Sequence, residues 1–225
     1  MSVKVTFLGH AAVLLQGSKS VIIDPFFTNN PQTTYPWQQA PQIDLVLVTH
    51  DHFDHVGQAV ELAKRDGATL VAIHELATSP AVADQARVTA VGMNIGGTYR
   101  HQGVAISMTP AVHSASRGSP AGFVVELDGQ RIYHAGDTAV FSDMALIPKL
   151  FGKLDVALLP IGGHYVMDAK QAALAAKLLK SKLTIPIHYN TWPVIAADPQ
   201  EFVRLCRPQK AQILRPGESI NLDSN

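Results

Sequence analysis

A continuous apolar run, Leu45–Val48, leads through Thr49 into His50-Asp51-His52-Phe53-Asp54-His55. An apolar run without alternation reads as a strand buried on both faces, so this chain needs layers packed on either side of it. The carboxyl end of such a strand is where open α/β folds place their sites. In an extended segment residues two apart point the same way, so His50 and His52 can hold one ion. The chain then turns into a helix, which sends Asp54 and His55 toward a second ion nearby. Imidazole and carboxylate ligands suit Zn, Mn, Fe, Co or Ni. Gly57 relieves crowding where the backbone turns beside the site. The plain alternative is a surface cluster of His and Asp, which the position at a buried strand end disfavours.

Further strands are expected at Val3–Leu8, Ala12–Leu15, Ser20–Ile23, Thr69–Ile73, Val88–Val91 and Ala105–Pro110. Phe123–Leu127 and Arg131–His134 flank Asp128-Gly129-Gln130, a hairpin signal. Val156–Pro160, Thr184–Ile187, Gln212–Leu214 and Ile220–Leu222 complete the count. Helices are expected from about Val56 to Arg65, within Glu75–Ala86, and from an Asp168 N-cap to about Ser181. The stretch Phe26–Pro41 reads as a long loop, of the kind that tends to be functional. Its aromatics Phe26, Phe27, Tyr35 and Trp37 are candidates for a lid, or for a minor core. Hairpins come first and helices alternate with strands afterwards, which suits two packed sheets with helices outside, in one domain over residues 1–225.

The chain has 225 residues, 47% of them hydrophobic, ample for such a core. Lys+Arg and Asp+Glu are both 18, so recognition of nucleic acid or an anionic membrane by bulk charge is not expected. The single cysteine, Cys206, excludes an intramolecular disulfide, and neither a signal peptide nor a membrane span is visible. These features fit a cytoplasmic protein. Ten histidines are the unusual entry in the composition, since histidine serves better as ligand or proton carrier than as packing.

Thr49–His55 reads T-H-x-H-x-D-H and resembles the signature of the metallo-β-lactamase superfamily. Val112-His113-Ser114, His134-Ala135-Gly136-Asp137-Thr138 and Pro186-Ile187-His188-Tyr189 follow in that family's order. The likeness extends over nearly the whole chain. It is to the metal-dependent hydrolase branch related to ascorbate-6-phosphate lactonase and the phospholipase D acting on N-acyl phosphatidylethanolamine. The resemblance implies a mixed α/β fold, a four-layer αββα sandwich. It implies that His50, His52 and His113 bind one metal, that Asp54, His55 and His188 bind another, and that Asp137 bridges them. The ions would be two divalent metals, Zn foremost, with Mn, Ni or Fe as alternatives. Singly, His113 could be a capped loop residue, Asp137 a turn residue and His188 strand-end packing; together and in order they form a set.

Two ions sharing a bridging water lower its pKa toward neutrality and make hydroxide available. Asp54 and Asp137 would then serve catalysis as well as binding, Asp54 by orienting the hydroxide. Two divalent ions less two carboxylates and a hydroxide leave about one positive charge, which favours a small anionic substrate or an oxyanion forming in the transition state. His10, on an early turn, is expected to face the pocket and to bind substrate or donate a proton to the leaving group. His164 is a candidate substrate contact or a support behind the ligands. His134 is expected to support or pack rather than ligate, and His74 and His101 to be structural or exposed. Asp24 either accepts a hydrogen bond from a ligand histidine or merely ends a strand.

Hydrolysis of an ester, lactone, phosphodiester or amide leads. A di-iron redox enzyme and a metal-retaining binding protein without turnover are the alternatives, with RNA cleavage a minor one. The resemblance also implies possible self-association.

Overall fold

The computed structural model describes residues 2–85 and 87–223. The first sheet has the order β13-β1-β2-β3-β4-β5-β6. Its strands are β1 (Val3–Gly9), β2 (Ala12–Gln16), β3 (Ser20–Ile23), β4 (Leu45–Leu47), β5 (Thr69–Ile73), β6 (Thr89–Met93) and β13 (Ser219–Leu222). The second sheet has the order β12-β11-β10-β9-β8-β7. It contains β7 (Thr98–His101), β8 (Val104–Pro110), β9 (Ala121–Leu127), β10 (Gln130–His134), β11 (Val156–Pro160) and β12 (Leu183–Ile187). The helices are α1 (Phe53–Val56), α2 (Ala59–Asp66), α3 (His74–Ala77), α4 (Pro80–Ala83), α5 (Ile147–Phe151), α6 (Ala169–Leu179) and α7 (Pro199–Cys206).

Strand periodicity builds the layers. Along the second sheet Phe123, Val125, Ile132, Val156 and Leu158 face the first sheet and join its Val5, Phe7, Ile22 and Leu47 in one core. Their neighbours Val124, Tyr133, Ala157 and Leu159 face the other way, onto Ala172, Ala176 and Leu179 of α6 and Phe202 of α7. Leu62 and Ala63 of α2 cover the outer face of the first sheet. The result is the expected four-layer αββα sandwich. Buried on both faces, β4 and β11 are unbroken apolar runs, and β5 and β12 depart from that only by one threonine each.

Most expected elements are present, and the differences have physical causes. Asp168 caps α6 by accepting from Gln171 N at 2.8 Å. The helix expected near Val56–Arg65 is split: α1 stops at Gly57 (φ 42°, ψ −120°) and α2 restarts after Gln58. Two short helices occupy the Glu75–Ala86 stretch, whose last residue lies outside the described residues. Gln212–Leu214 forms no strand; only Ala211 bridges Thr184. Unforeseen were β7, a half-exposed edge strand, and α5 and α7, although Asp198-Pro199 is a helix-start signal. Phe27, Tyr35 and Trp37 of the early loop pack into the main core, so they form neither a lid nor a separate minor core.

Gly57 is the tightest backbone approach beside the site. A Cβ there would clash with Pro25 O and lie 2.6 Å from Phe26 Cα, on a positive φ that side chains rarely tolerate. Gly57→Ala is therefore expected to cost about 3 kcal/mol or more, read as a lowered urea midpoint. A loss under about 1 kcal/mol would mean that the turn is pliable.

Candidate metal centre

The site residues come from segments that leave strands at one edge of the sandwich. Asp24 follows β3, His50–His55 follow β4, His113 follows β8, Asp137 follows β10 and His188 follows β12; His10 lies on the β1–β2 turn. Three hydrogen bonds pin the two sheets together there. His188 N donates to His10 O (2.6 Å), Ala121 N donates to Thr49 O (3.0 Å), and His134 Nε2 donates to Ala11 O (2.9 Å). His10, Asp24 and His188 all hold positive φ, between 48° and 57°, a strain that concentrates at functional sites.

The ligand-type atoms converge in overlapping sets. One atom each from His50, His52 and His113 lies within 4.8 Å of the others, as do sets from His10, Asp54, His55 and His188, and from His50, His55 and Asp137. Asp137 Oδ2 stands among them, 3.1 Å from His188 Nε2, 3.4 Å from His55 Nε2 and 3.6 Å from His113 Nε2. Hence all seven residues expected from the sequence meet in one place, with Asp137 between the two groups.

A hydrogen-bond relay fixes which nitrogens face the centre. Thr49 Oγ1 donates to Asp24 Oδ2 at 2.7 Å, so its oxygen can accept from His50 Nδ1 at 3.0 Å. His55 Nδ1 donates to the same Asp24 oxygen at 2.7 Å. Nε2 is thereby the nitrogen each ring turns inward, bare on neutral His50 and, on His55, the atom that gives up its proton when a metal binds. Of the two readings for Asp24, the hydrogen-bond acceptor is the one the geometry shows. Thr49 was missed in the sequence, where only its place just before the first histidine marks it. Asp24→Asn is expected to weaken metal binding 10- to 100-fold, measured by chelator competition. An unchanged affinity would reduce Asp24 to a strand terminator.

Electrostatics fit a resident cation. Asp24, Asp54 and Asp137 are buried, and among the described residues none pairs with a lysine or arginine. Burial holds His50 down to about 2 and His10 down to about 4, and it lowers His113 as well, so these rings stay neutral. Burial also works against charge on His55, but Asp137 and Asp24 overcome it and raise its pKa well above the ordinary value. Burial opposes ionisation of Asp137, and His188 and His55 outweigh it, holding the carboxyl well below its usual range. His55 Nε2, both nitrogens of His188 and Asp137 Oδ1 are buried without a hydrogen-bond partner. His50 Nε2, its Nδ1 proton given to Thr49, accepts from His52 Nδ1 at 2.9 Å. Buried polar atoms without a partner are costly unless something binds them, and a metal does so.

The auxiliary residues fall differently from expectation. His10 is fully buried. Its Nε2–H donates to Asp54 Oδ2 at 3.0 Å and its Nδ1 accepts from Thr191 Oγ1 at 2.7 Å. With both nitrogens engaged it positions Asp54, and the expected contact with substrate does not fit this placement. His164 is exposed beside Tyr165 and does not line the cavity; Tyr165 does. His134 supports the turn carrying Asp137, its Nδ1 accepting from Gly136 N at 3.1 Å. Asp51 accepts from Ser116 N at 2.8 Å and so ties the loop bearing His113 to the histidine run.

Residues 19–189 match the Beta-lactamase superfamily domain, and the chain belongs to that superfamily. Within it, the chain is a metal-dependent hydrolase. It is 50% identical over 227 residues to a UPF0173 metal-dependent hydrolase of Pyrococcus abyssi, covering 98% of this chain and 100% of that protein. A UPF0173 metal-dependent hydrolase of Archaeoglobus fulgidus is 46% identical over 234 residues, covering 98% and 99%. Among solved structures, Igni18, a metallo hydrolase from Ignicoccus hospitalis, superposes with TM-score 0.91 at 38% identity, covering 100% of both chains.

Proposed function

We propose that this chain, as a single domain, is a hydrolase working with two divalent metal ions. His50, His52 and His113 would hold one, Asp54, His55 and His188 the other, and Asp137 would join them. The observation that carries this reading is the position of Asp137 Oδ2, within 3.6 Å of a histidine from the first group and two from the second. Zinc is the first candidate, and Mn, Ni or Fe suit the same N/O donors.

Such ions, when bound, supply hydroxide at neutral pH and positive charge for the oxygen of an ester, lactone or phosphodiester. The protein's part is orientation. Asp24 and Thr49 take the Nδ1 protons of His55 and His50, so that Nε2 is the atom each ring would offer a metal, and neutral His10 fixes one oxygen of Asp54. The other Asp54 oxygen can accept the proton of an attacking water. Among the described residues no helix is long and apolar enough to cross a membrane, in keeping with a proposed cytoplasmic location.

Elemental analysis of metal-stripped protein titrated with zinc tests the proposal. About two ions per chain, with hydrolysis rising in step with the second, is the expected result. Saturation below one ion, or activity unaffected by stripping, overturns it. Iron absorption with oxygen consumption would favour redox chemistry instead.

A further inference from the structure

The cavity over the metal centre has a volume of about 640 Å³, of the size that takes a small molecule. Its floor is the ligand set. Its outer wall is apolar, made by Phe53 on α1, Tyr165 after β11, and Trp192 and Val194 after β12. Phe53 is 70% exposed, Tyr165 57% and Val194 46%. A lone exposed apolar side chain needs no explanation, but three on one rim beside a tryptophan form a binding surface.

The wall is also preorganised. Buried Phe26 meets the Phe53 ring edge-on at 5.9 Å and lies 6.1 Å from Trp192, and Phe53 and Trp192 are 6.1 Å apart. A ligand seated on this cluster need not order it first. Among the described residues the cavity's charged lining groups are Asp51, Asp54 and Asp137, all acidic, and no lysine or arginine lines it. Arg117, 3.6 Å from Asp51 Oδ2, is taken up by that carboxylate outside the cavity lining. An anionic substituent beyond reach of the metals would therefore meet hydrocarbon and an Asp51 already paired with Arg117, with no free counter-charge in the lining.

We infer that the substrate is a neutral molecule whose non-reacting part is apolar and lies against Phe53, Tyr165, Trp192 and Val194. This rests on the hydrolase reading above, narrows it to neutral esters and lactones, and replaces the sequence-based expectation of an anionic substrate; the positive charge of the centre serves only the oxygen under attack. Chain length then governs efficiency, since each buried methylene is worth about fourfold.

The test has a binding arm and a kinetic arm. Metal-free protein is titrated with the neutral fluorophore phenylnaphthylamine, then with methyl hexanoate or hexanoate anion as competitor. The expected result is one site, displaced about tenfold more readily by the ester than by the anion. Phe53→Ser should weaken the fluorophore about tenfold, whereas Leu150→Ser, at an exposed leucine on α5, should not. Equal displacement by the anion, or indifference to Phe53→Ser, overturns the inference.

For zinc-loaded protein, kcat/KM should rise about sixteenfold at each two-methylene step from p-nitrophenyl acetate to butyrate to hexanoate, and p-nitrophenyl hemisuccinate should trail the butyrate. Cleavage at rates independent of length would sink the apolar site and leave hydrolysis standing. No cleavage, with the displacement pattern intact, would sink hydrolysis and leave the apolar site.

Discussion

Replacing Asp137 by alanine is expected to lower metal content from two ions to one or none per chain and to cut hydrolysis about a thousandfold. Its Oδ2 is the atom shared by the two groups of histidines, 3.4 Å from His55, 3.1 Å from His188 and 3.6 Å from His113. Without that carboxylate the remaining donors fall into separate sets. Asp137→Asn should fare little better, because an amide keeps the shape but loses the charge and can turn a donor toward the ions. A second signature is independent of turnover. Asp137 is, after burial, the foremost influence on His55, so the His55 pKa in the metal-free variant should fall, as read by NMR titration. An Asp137→Ala protein that kept two ions and full activity would remove Asp137 from the centre.

Acid should unfold the metal-free protein well before its carboxylates take up protons. The unfolded chain protonates His10 and His50 near pH 6.5, while the folded chain, through burial, keeps His10 neutral to about 4 and His50 to about 2. Below pH 6.5 the unfolded state thus binds more protons, and stability falls as pH falls. Each histidine removes roughly 1.4 kcal/mol per pH unit, and the pair on the order of 4 kcal/mol over about two units below pH 6.5. Asp54 and Asp137 are depressed, so their contribution stands above the usual carboxylate range and is lost only at lower pH. His55 has the opposite sign: its pKa is raised, so its stabilisation is full below pH 6.5 and lost as pH rises through the folded value. Stability of the metal-free protein should peak near neutrality. Urea midpoints with chelator at pH 7 and pH 5 read this directly, and His10→Gln should flatten the acid slope. A midpoint constant across that interval would mean that these rings are not buried neutral.

His50, His52, Asp54 and His55 were visible as ligand types at the end of an apolar strand, whereas His113, Asp137 and His188 were reached through the family resemblance, each being by itself an ordinary strand-end or turn residue. The break of the helix at Gly57 was not visible, since it depends on Pro25 O and Phe26 lying against that glycine. Gln212–Leu214 has strand-like composition but finds only one bridge, at Ala211. His10 and His164 looked alike as glycine-flanked loop histidines. The fold buries one behind Asp54 and leaves the other in solvent.

Sequence by itself determined a plan of two packed sheets with helices outside and the ligand character of the His50–His55 run, since apolar periodicity and residue spacing are local properties of a chain; the αββα plan and the places of His113, Asp137 and His188 were implied by the family resemblance. Only the tertiary structure decided which imidazole nitrogens face inward, that Thr49 and Asp24 set them, and that Phe53, Tyr165, Trp192 and Val194 wall the cavity. Those four come from three segments, Phe53 lying more than a hundred residues before the other two, and the polarity of a pocket is a sum over side chains that meet only when the two sheets pack.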